Sequence, residues 1–176
     1  YQIIALSSVS TSFTLSPLTL TTWGNDDSVI LVGASQGPTP SDFTLNSAAY
    51  GGIAVMVGGA GNDTLTSGVG NDFYLTGGGR DTVDSGAGDD IINLNGIVSA
   101  NSSFNGGANT DTLAANMPAA TAPTNPNDTY STVGVTSSTV LNVEKIQFRS
   151  LAGERLRVQV GTWQAGQFTG LTGGAG

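Results

Sequence analysis

Residues 58 to 93 repeat every nine residues. The copies read Gly-Gly-Ala-Gly-Asn-Asp-Thr-Leu-Thr (58–66), Ser-Gly-Val-Gly-Asn-Asp-Phe-Tyr-Leu (67–75), Thr-Gly-Gly-Gly-Arg-Asp-Thr-Val-Asp (76–84) and Ser-Gly-Ala-Gly-Asp-Asp-Ile-Ile-Asn (85–93). Glycine recurs at Gly59, Gly68, Gly77 and Gly86, and again at Gly61, Gly70, Gly79 and Gly88. Aspartate recurs at Asp63, Asp72, Asp81 and Asp90, with a large apolar residue two places on at Leu65, Tyr74, Val83 and Ile92. Sixteen positions held in strict register are not chance in a chain of this length. The flanking sequence is expected to extend or cap the repeat region.

A fifth, degenerate copy follows an insertion, Gly106-Gly107-Ala108-Asn109-Thr110-Asp111-Thr112-Leu113, in which Asn109 replaces the second glycine. Counting back from the first copy puts Gly52 and Met56 in register, with Ala54 in the aspartate place. Three segments follow: 1–57, strands continuing into the repeat region; 58–114, the repeat region; and 115–176, a Pro/Thr-rich loop, capping strands and tail. In the first, Gln2–Leu6, Ser12–Leu15, Leu18–Thr21, Ser28–Val32 and Ile53–Val57 carry strand signals. Residues 114–139, with Pro118, Pro123 and Pro126, read as loop or edge. Val140–Phe148 and Leu156–Val160 read as strands, and Gly170–Gly176 as a flexible tail unless a partner holds it.

Composition removes whole classes of chemistry. The 176 residues contain no His and no Cys, so thiol nucleophiles, imidazole bases, disulfides and zinc fingers are excluded. The formal net charge of −8 argues against nucleic acid and anionic membrane surfaces and favours cations. No apolar run approaches the ~20 residues of a membrane helix. No basic-then-apolar leader opens the chain, so either one was removed or export takes another route.

Alternate glycines permit positive φ and let successive backbones stack closely. The carbonyls such a turn exposes, with one carboxylate per copy, make an all-oxygen site suited to a hard cation such as Ca²⁺. The pattern Gly-Gly-x-Gly-x-Asp-x-U-x resembles the RTX calcium-binding nonapeptide family. The resemblance implies an all-β fold: a calcium-bound parallel β-roll in which six residues turn and bind the metal and three form a strand, extended and capped by irregular strands. It implies metal contacts from Gly59, Gly61, Asp63, Gly68, Gly70, Asp72, Gly77, Gly79, Asp81, Gly86, Gly88, Asp90 and Asp111. With two nonapeptides per coil, Asp63 and Asp81 would share one edge, and Asp72 and Asp90 the other. Ser67, Thr76 and Ser85 depart from the first glycine, and Arg80 sets a positive charge beside Asp81. The segment Asn142–Phe148 resembles the strand that often follows such repeats. Asx turns in a glycine-rich loop are the alternative for these aspartates, but they do not explain the period.

The strand triplets predict two unlike outer faces. Thr64-Leu65-Thr66 and Thr82-Val83-Asp84 put polar groups outward, whereas Phe73, Leu75 and Ile91 would point outward from the other sheet. The flanking strands are the expected cover for that apolar face, with a neighbouring subunit as the alternative. Asp26-Asp27 reads as a turn or a decayed repeat rather than a catalytic pair, and Trp23 and Trp163 as packing residues rather than sugar platforms. The four basic residues Lys145, Arg149, Arg155 and Arg157 form either a solvated strand face or a contact for an acidic neighbour.

No catalytic constellation is visible, so a non-enzyme is expected. The resemblance implies one-step type I secretion with an uncleaved C-terminal signal. The expectation is an extracellular structural protein of the surface-layer, filament or matrix kind, self-associating through strand edges or its apolar outer sheet. The alternatives are a calcium-stabilised adhesin or stalk module, and the noncatalytic C-terminal part of a secreted hydrolase.

Overall fold

The computed structural model describes residues 2–7, 12–14, 28–34, 40–94, 101–116, 130–150, 155–163 and 170–175, with side chains described for 28–33, 40–94, 101–114 and 138–147. Every regular element among them is a strand: β1 (Gln2–Ser7), β2 (Ser12–Thr14), β3 (Ser28–Ala34), β4 (Thr44–Asn46), β5 (Ile53–Gly59), β6 (Thr64–Thr66), β7 (Phe73–Gly77), β8 (Thr82–Asp84), β9 (Ile91–Asn93), β10 (Ser103–Asn105), β11 (Thr112–Asn116), β12 (Tyr130–Leu141), β13 (Lys145–Ser150), β14 (Arg155–Trp163) and β15 (Gly170–Ala175). Odd-numbered strands form one eight-stranded sheet, β1-β3-β5-β7-β9-β11-β13-β15. Even-numbered strands form a seven-stranded sheet, β14-β12-β10-β8-β6-β4-β2. All pairings are parallel. The chain therefore crosses from one sheet to the other at every turn and advances one strand per coil: a parallel β-solenoid, as the resemblance implies.

The two sheets meet through two in-register rows of apolar side chains. One is Leu31, Met56, Tyr74, Ile92, Leu113 and Ile146; the other is Leu45, Leu65, Val83, Phe104 and Val140. All are buried. Each short strand contributes one inward residue flanked by two outward ones, so burial alternates with the period of two that strands impose. The buried Tyr74 hydroxyl is satisfied by a short hydrogen bond with the Ser67 hydroxyl.

Three flanking expectations need correction. Residues 114–139 are not simply loop: β11 runs to Asn116, and β12 begins at Tyr130 and pairs with β10 and β14. Val140–Phe148 is not one strand, because residues 142–144 turn the chain from the seven-stranded sheet into the eight-stranded one. The Gly170–Gly176 tail is held by this chain itself: β15 pairs with β13 from Lys145↔Gly170 to Ser150↔Ala175. In the first and third cases parallel backbone hydrogen bonds to a strand distant in sequence override weak local propensity. Residues Leu18–Thr21, Trp23 and Asp26-Asp27 lie outside the described residues, as does the side chain of Trp163.

The two outer faces differ as the triplets predict. The seven-stranded sheet shows Thr44, Thr64, Thr82, Ser103 and Thr139 in one in-register row. The eight-stranded sheet shows Ile30, Val55, Phe73 and Ile91 in one row and Val32, Val57 and Leu75 in the next. Ile53 and Ile91 are 39% and 40% exposed. The flanking strands do not lie across this face; they prolong the sheet sideways, because their backbone groups are used in extending the ladder.

The core rows set a stability expectation. Leu65→Ala removes a fully buried side chain and should cost about 2–5 kcal/mol. Thr64→Ala, on the exposed face of the same strand, should stay within ~0.5 kcal/mol. Denaturant unfolding of both variants in calcium measures the difference.

Candidate metal centre

The turns of the solenoid stack on two edges. Turns 58–63 and 76–81 lead from the eight-stranded to the seven-stranded sheet, and turns 67–72, 85–90 and 106–111 lead back. On the second edge the turns are tied in parallel by bridges from Val69 to Ala87 and from Ala87 to Ala108. Such close stacking depends on glycine. Gly86 has φ +85°, and a Cβ there would strike the carbonyl of Gly68 one coil away. Six of the eight repeat glycines, Gly59, Gly70, Gly77, Gly79, Gly86 and Gly88, have positive φ; Gly61 and Gly68 do not, but a Cβ would strike backbone of Ser41 or Ala48. Asn109, which replaces glycine in the fifth copy, takes φ 88°, a left-handed conformation asparagine tolerates.

The aspartates form two ladders. On one edge the Asp63 carboxylate accepts the Phe43 N–H at 2.8 Å, Asp81 accepts the Asp63 N–H at 3.0 Å, and the Ser102 hydroxyl oxygen accepts the Asp81 N–H at 3.1 Å. On the other, Asp72 accepts from Ala54 at 2.6 Å, Asp90 from Asp72 at 2.7 Å, Asp111 from Asp90 at 2.9 Å, and Glu144 from Asp111 at 2.8 Å. The pairs Asp63/Asp81 and Asp72/Asp90 thus share edges in the assigned register. The edges are unequal: two aspartates stand on one, and three aspartates plus a glutamate on the other.

Each rung uses only one carboxylate oxygen. Oδ2 of Asp63, Asp72, Asp90 and Asp111 is buried with no hydrogen-bond partner. A buried, unpartnered carboxylate oxygen is costly unless a cation meets it. Among the described residues no three carboxylates converge on a point, so the remaining ligands would be backbone carbonyls. All-oxygen coordination of this kind, in a chain with no Cys and no His, fits Ca²⁺. At Gly58 an added Cβ would lie 2.5 Å from Asp63 Oδ2, so this first position leaves room beside the bare oxygen.

Burial sets the charge state. It pushes Asp63 and Asp90 up to about 6 and Asp81 and Asp111 up to about 7, from an ordinary 3.8, and raises Asp72 as well. Desolvation is the main cause, with neighbouring carboxylates adding to it at Asp63, Asp81, Asp90 and Asp111 and the backbone N–H bonds opposing it. Hydroxyls at the first repeat position also oppose it: Ser67 for Asp72, Thr76 for Asp81 and Ser85 for Asp90. The Ser67 and Ser85 hydroxyls themselves donate to backbone carbonyls of the next coil, Ser85 and Gly106, at 2.8 and 2.7 Å.

Sequence reasoning missed several participants. The fifth repeat position forms an outer ladder: Asp42 accepts from Asn62 N–H at 2.7 Å, Asn62 from Arg80 at 2.9 Å, Asn71 from Asp89 at 3.0 Å and Asp89 from Thr110 at 3.0 Å. The recurring Asn-Asp and Asp-Asp dipeptides at 62–63, 71–72 and 89–90 were the available signal. Ser102 carried none, and Glu144 only its place in the Asn142–Phe148 segment, because insertions displace both from the nine-residue count. Arg80 is exposed and Asp84 points outward.

The folded, metal-free protein holds protons that the unfolded chain has released between about pH 4 and pH 7. Metal-free stability is therefore greatest below about pH 4 and falls as pH rises through 6 to 7, whereas calcium affinity rises over the same interval. Melting temperature should fall from pH 5 to 8 in chelator and stay nearly level in saturating calcium, whose bound state holds none of these protons; equal falls in both would contradict the assignment. Asp72→Ala should abolish a bound calcium, and Asp84→Ala should leave the titrated stoichiometry unchanged.

Comparison with known proteins agrees with this geometry. A family model described as the RTX calcium-binding nonapeptide repeat matches residues 49–83 and 75–96, with 4 copies. No curated protein and no solved structure matches the chain. The stacked turns with their paired carboxylates and the matched repeats coincide, and the central segment of this chain belongs to the RTX calcium-binding nonapeptide repeat family.

Proposed function

We propose that this calcium-binding RTX-type protein is an extracellular structural component that self-assembles, with calcium ordering the surface through which copies meet. Export is supported by the repeat family, whose members are typically secreted. A noncatalytic role is consistent with the structural character of the repeat and with a chain that has no His and no Cys.

The observation that carries self-association is the apolar outer face of the eight-stranded sheet. Its two rows, from Ile30 to Ile91 and from Val32 to Leu75, span four neighbouring strands. An apolar patch across a flat sheet usually marks an interaction. A second copy of the same chain fits it, since one sheet face meets its equal through two-fold packing of like rows. Charge supports a second, directional contact: residues 58–111 carry seven Asp and one Arg, while 144–157 carry four basic and two acidic residues. The terminal strands, β1 and β15 in one sheet and β2 and β14 in the other, offer edges for end-to-end strand addition.

Sedimentation velocity tests the proposal. The chain should pass from monomer to large assemblies as calcium is added. The double variant Phe73→Lys and Leu75→Lys should bind calcium normally yet assemble poorly, and deletion of residues 1–6 should weaken end-to-end growth. A folded, calcium-loaded monomer at high protein concentration would contradict self-assembly and favour a module of a larger surface protein.

A further inference from the structure

The turn at residues 142–144 is not a nonapeptide, yet it completes the longer carboxylate ladder. It is half the length of turns 85–90 and 106–111, which it follows on the same edge. Its backbone reproduces their stacking: Lys145 N–H donates to the Asp111 carbonyl at 2.9 Å, as Thr112 N–H donates to Asp90 at 2.9 Å. Asn142 takes φ 50°, filling the left-handed position that glycine holds in the repeats. The longer glutamate side chain spans what the short turn leaves, and Glu144 Oε2 accepts the Asp111 N–H at 2.8 Å.

Asp111 is fully buried, and its Oδ2 has no hydrogen-bond partner. Gly106 packs directly against it: a Cβ there would strike the carbonyl oxygen of Asn142 and come within 2.6 and 2.8 Å of Asp111 Cβ and Cγ. A backbone carbonyl, a buried carboxylate with a bare oxygen and a second carboxylate from the next coil therefore lie together at Gly106. We propose that Asp111, Glu144 and the Asn142 carbonyl form a terminal calcium site outside the nonapeptide repeats, which fastens β13 and the strands beyond it to the roll. The short turn supplies fewer carbonyls than a six-residue turn, so water completes the coordination and this site is the weakest of the row.

The inference rests on calcium binding by the repeats and is tested apart from it. Full-length chain, Glu144→Gln and Asp72→Asn are titrated with calcium by equilibrium dialysis, with far-UV circular dichroism on each. Glutamine keeps an oxygen to accept the Asp111 N–H but loses the charge. Glu144→Gln should bind one calcium fewer than wild type, or bind its weakest one at least ~10-fold less tightly, with the roll still folded. Unchanged stoichiometry and affinities in Glu144→Gln, while Asp72→Asn loses an ion, would overturn the terminal site alone. Absence of binding in wild type would overturn the repeat reading and this site together. Should Glu144→Gln not fold, Glu144→Asp keeps the charge on a shorter arm: a weakest step loosened by ~10-fold supports the site, and an unchanged one overturns it.

Discussion

Carboxylates stacked one coil apart repel each other, and in this solenoid they cannot move away. Neighbouring strands lie about 4.8 Å apart, and two bare charges at that distance repel by about 3 kcal/mol at an effective dielectric near 20. The chain places Asp72, Asp90, Asp111 and Glu144 in one such row and Asp63 with Asp81 in another. At Asp63, Asp72, Asp90 and Asp111 the backbone N–H rung binds one oxygen and leaves the other bare inside the fold. Protonation relieves the row at low pH and a divalent cation relieves it at neutral pH. Metal dependence is thus a consequence of stacking geometry rather than an addition to a finished fold.

The same geometry connects the site to the rest of the molecule. The ladders run along the edges where the two sheets exchange strands, so every ion that joins two turns also fixes the register of the strands they feed. One residue of slip would carry Leu65, Val83 and Phe104 from the core to solvent. Apolar rows inside and carboxylate rows at the edges specify the same register independently. The edges are unequal, and the longer row extends to Glu144 on the turn that leads into β13.

The centre of the fold was legible in the sequence because one period carried several signals at once: glycine, aspartate and the inward apolar residue. Register, edge sharing and the inward roles of Leu65, Tyr74, Val83 and Ile92 follow from counting. The flanks were harder to read for a physical reason. A parallel strand draws its stability from a partner twenty or more residues distant, so β12 and β15, rich in Thr, Gly and Ser, show little local signal. Ser102 and Glu144 occupy aspartate places only after insertions that break the count, and Glu144 reaches its place through a shorter turn and a longer side chain. The apolar outer face was legible as a face, but the path of the flanking strands was not.

Calcium removal tests the central claim most directly. Far-UV circular dichroism and thermal melting of the full chain at pH 7.5, before and after exhaustive chelation with metal content verified, separate a fold that needs the ion from one that merely tolerates it. The stacked carboxylates predict loss of most β signal or a large fall in melting temperature, restored when calcium is returned. An unchanged spectrum and an unchanged melting temperature in metal-free protein would contradict the account.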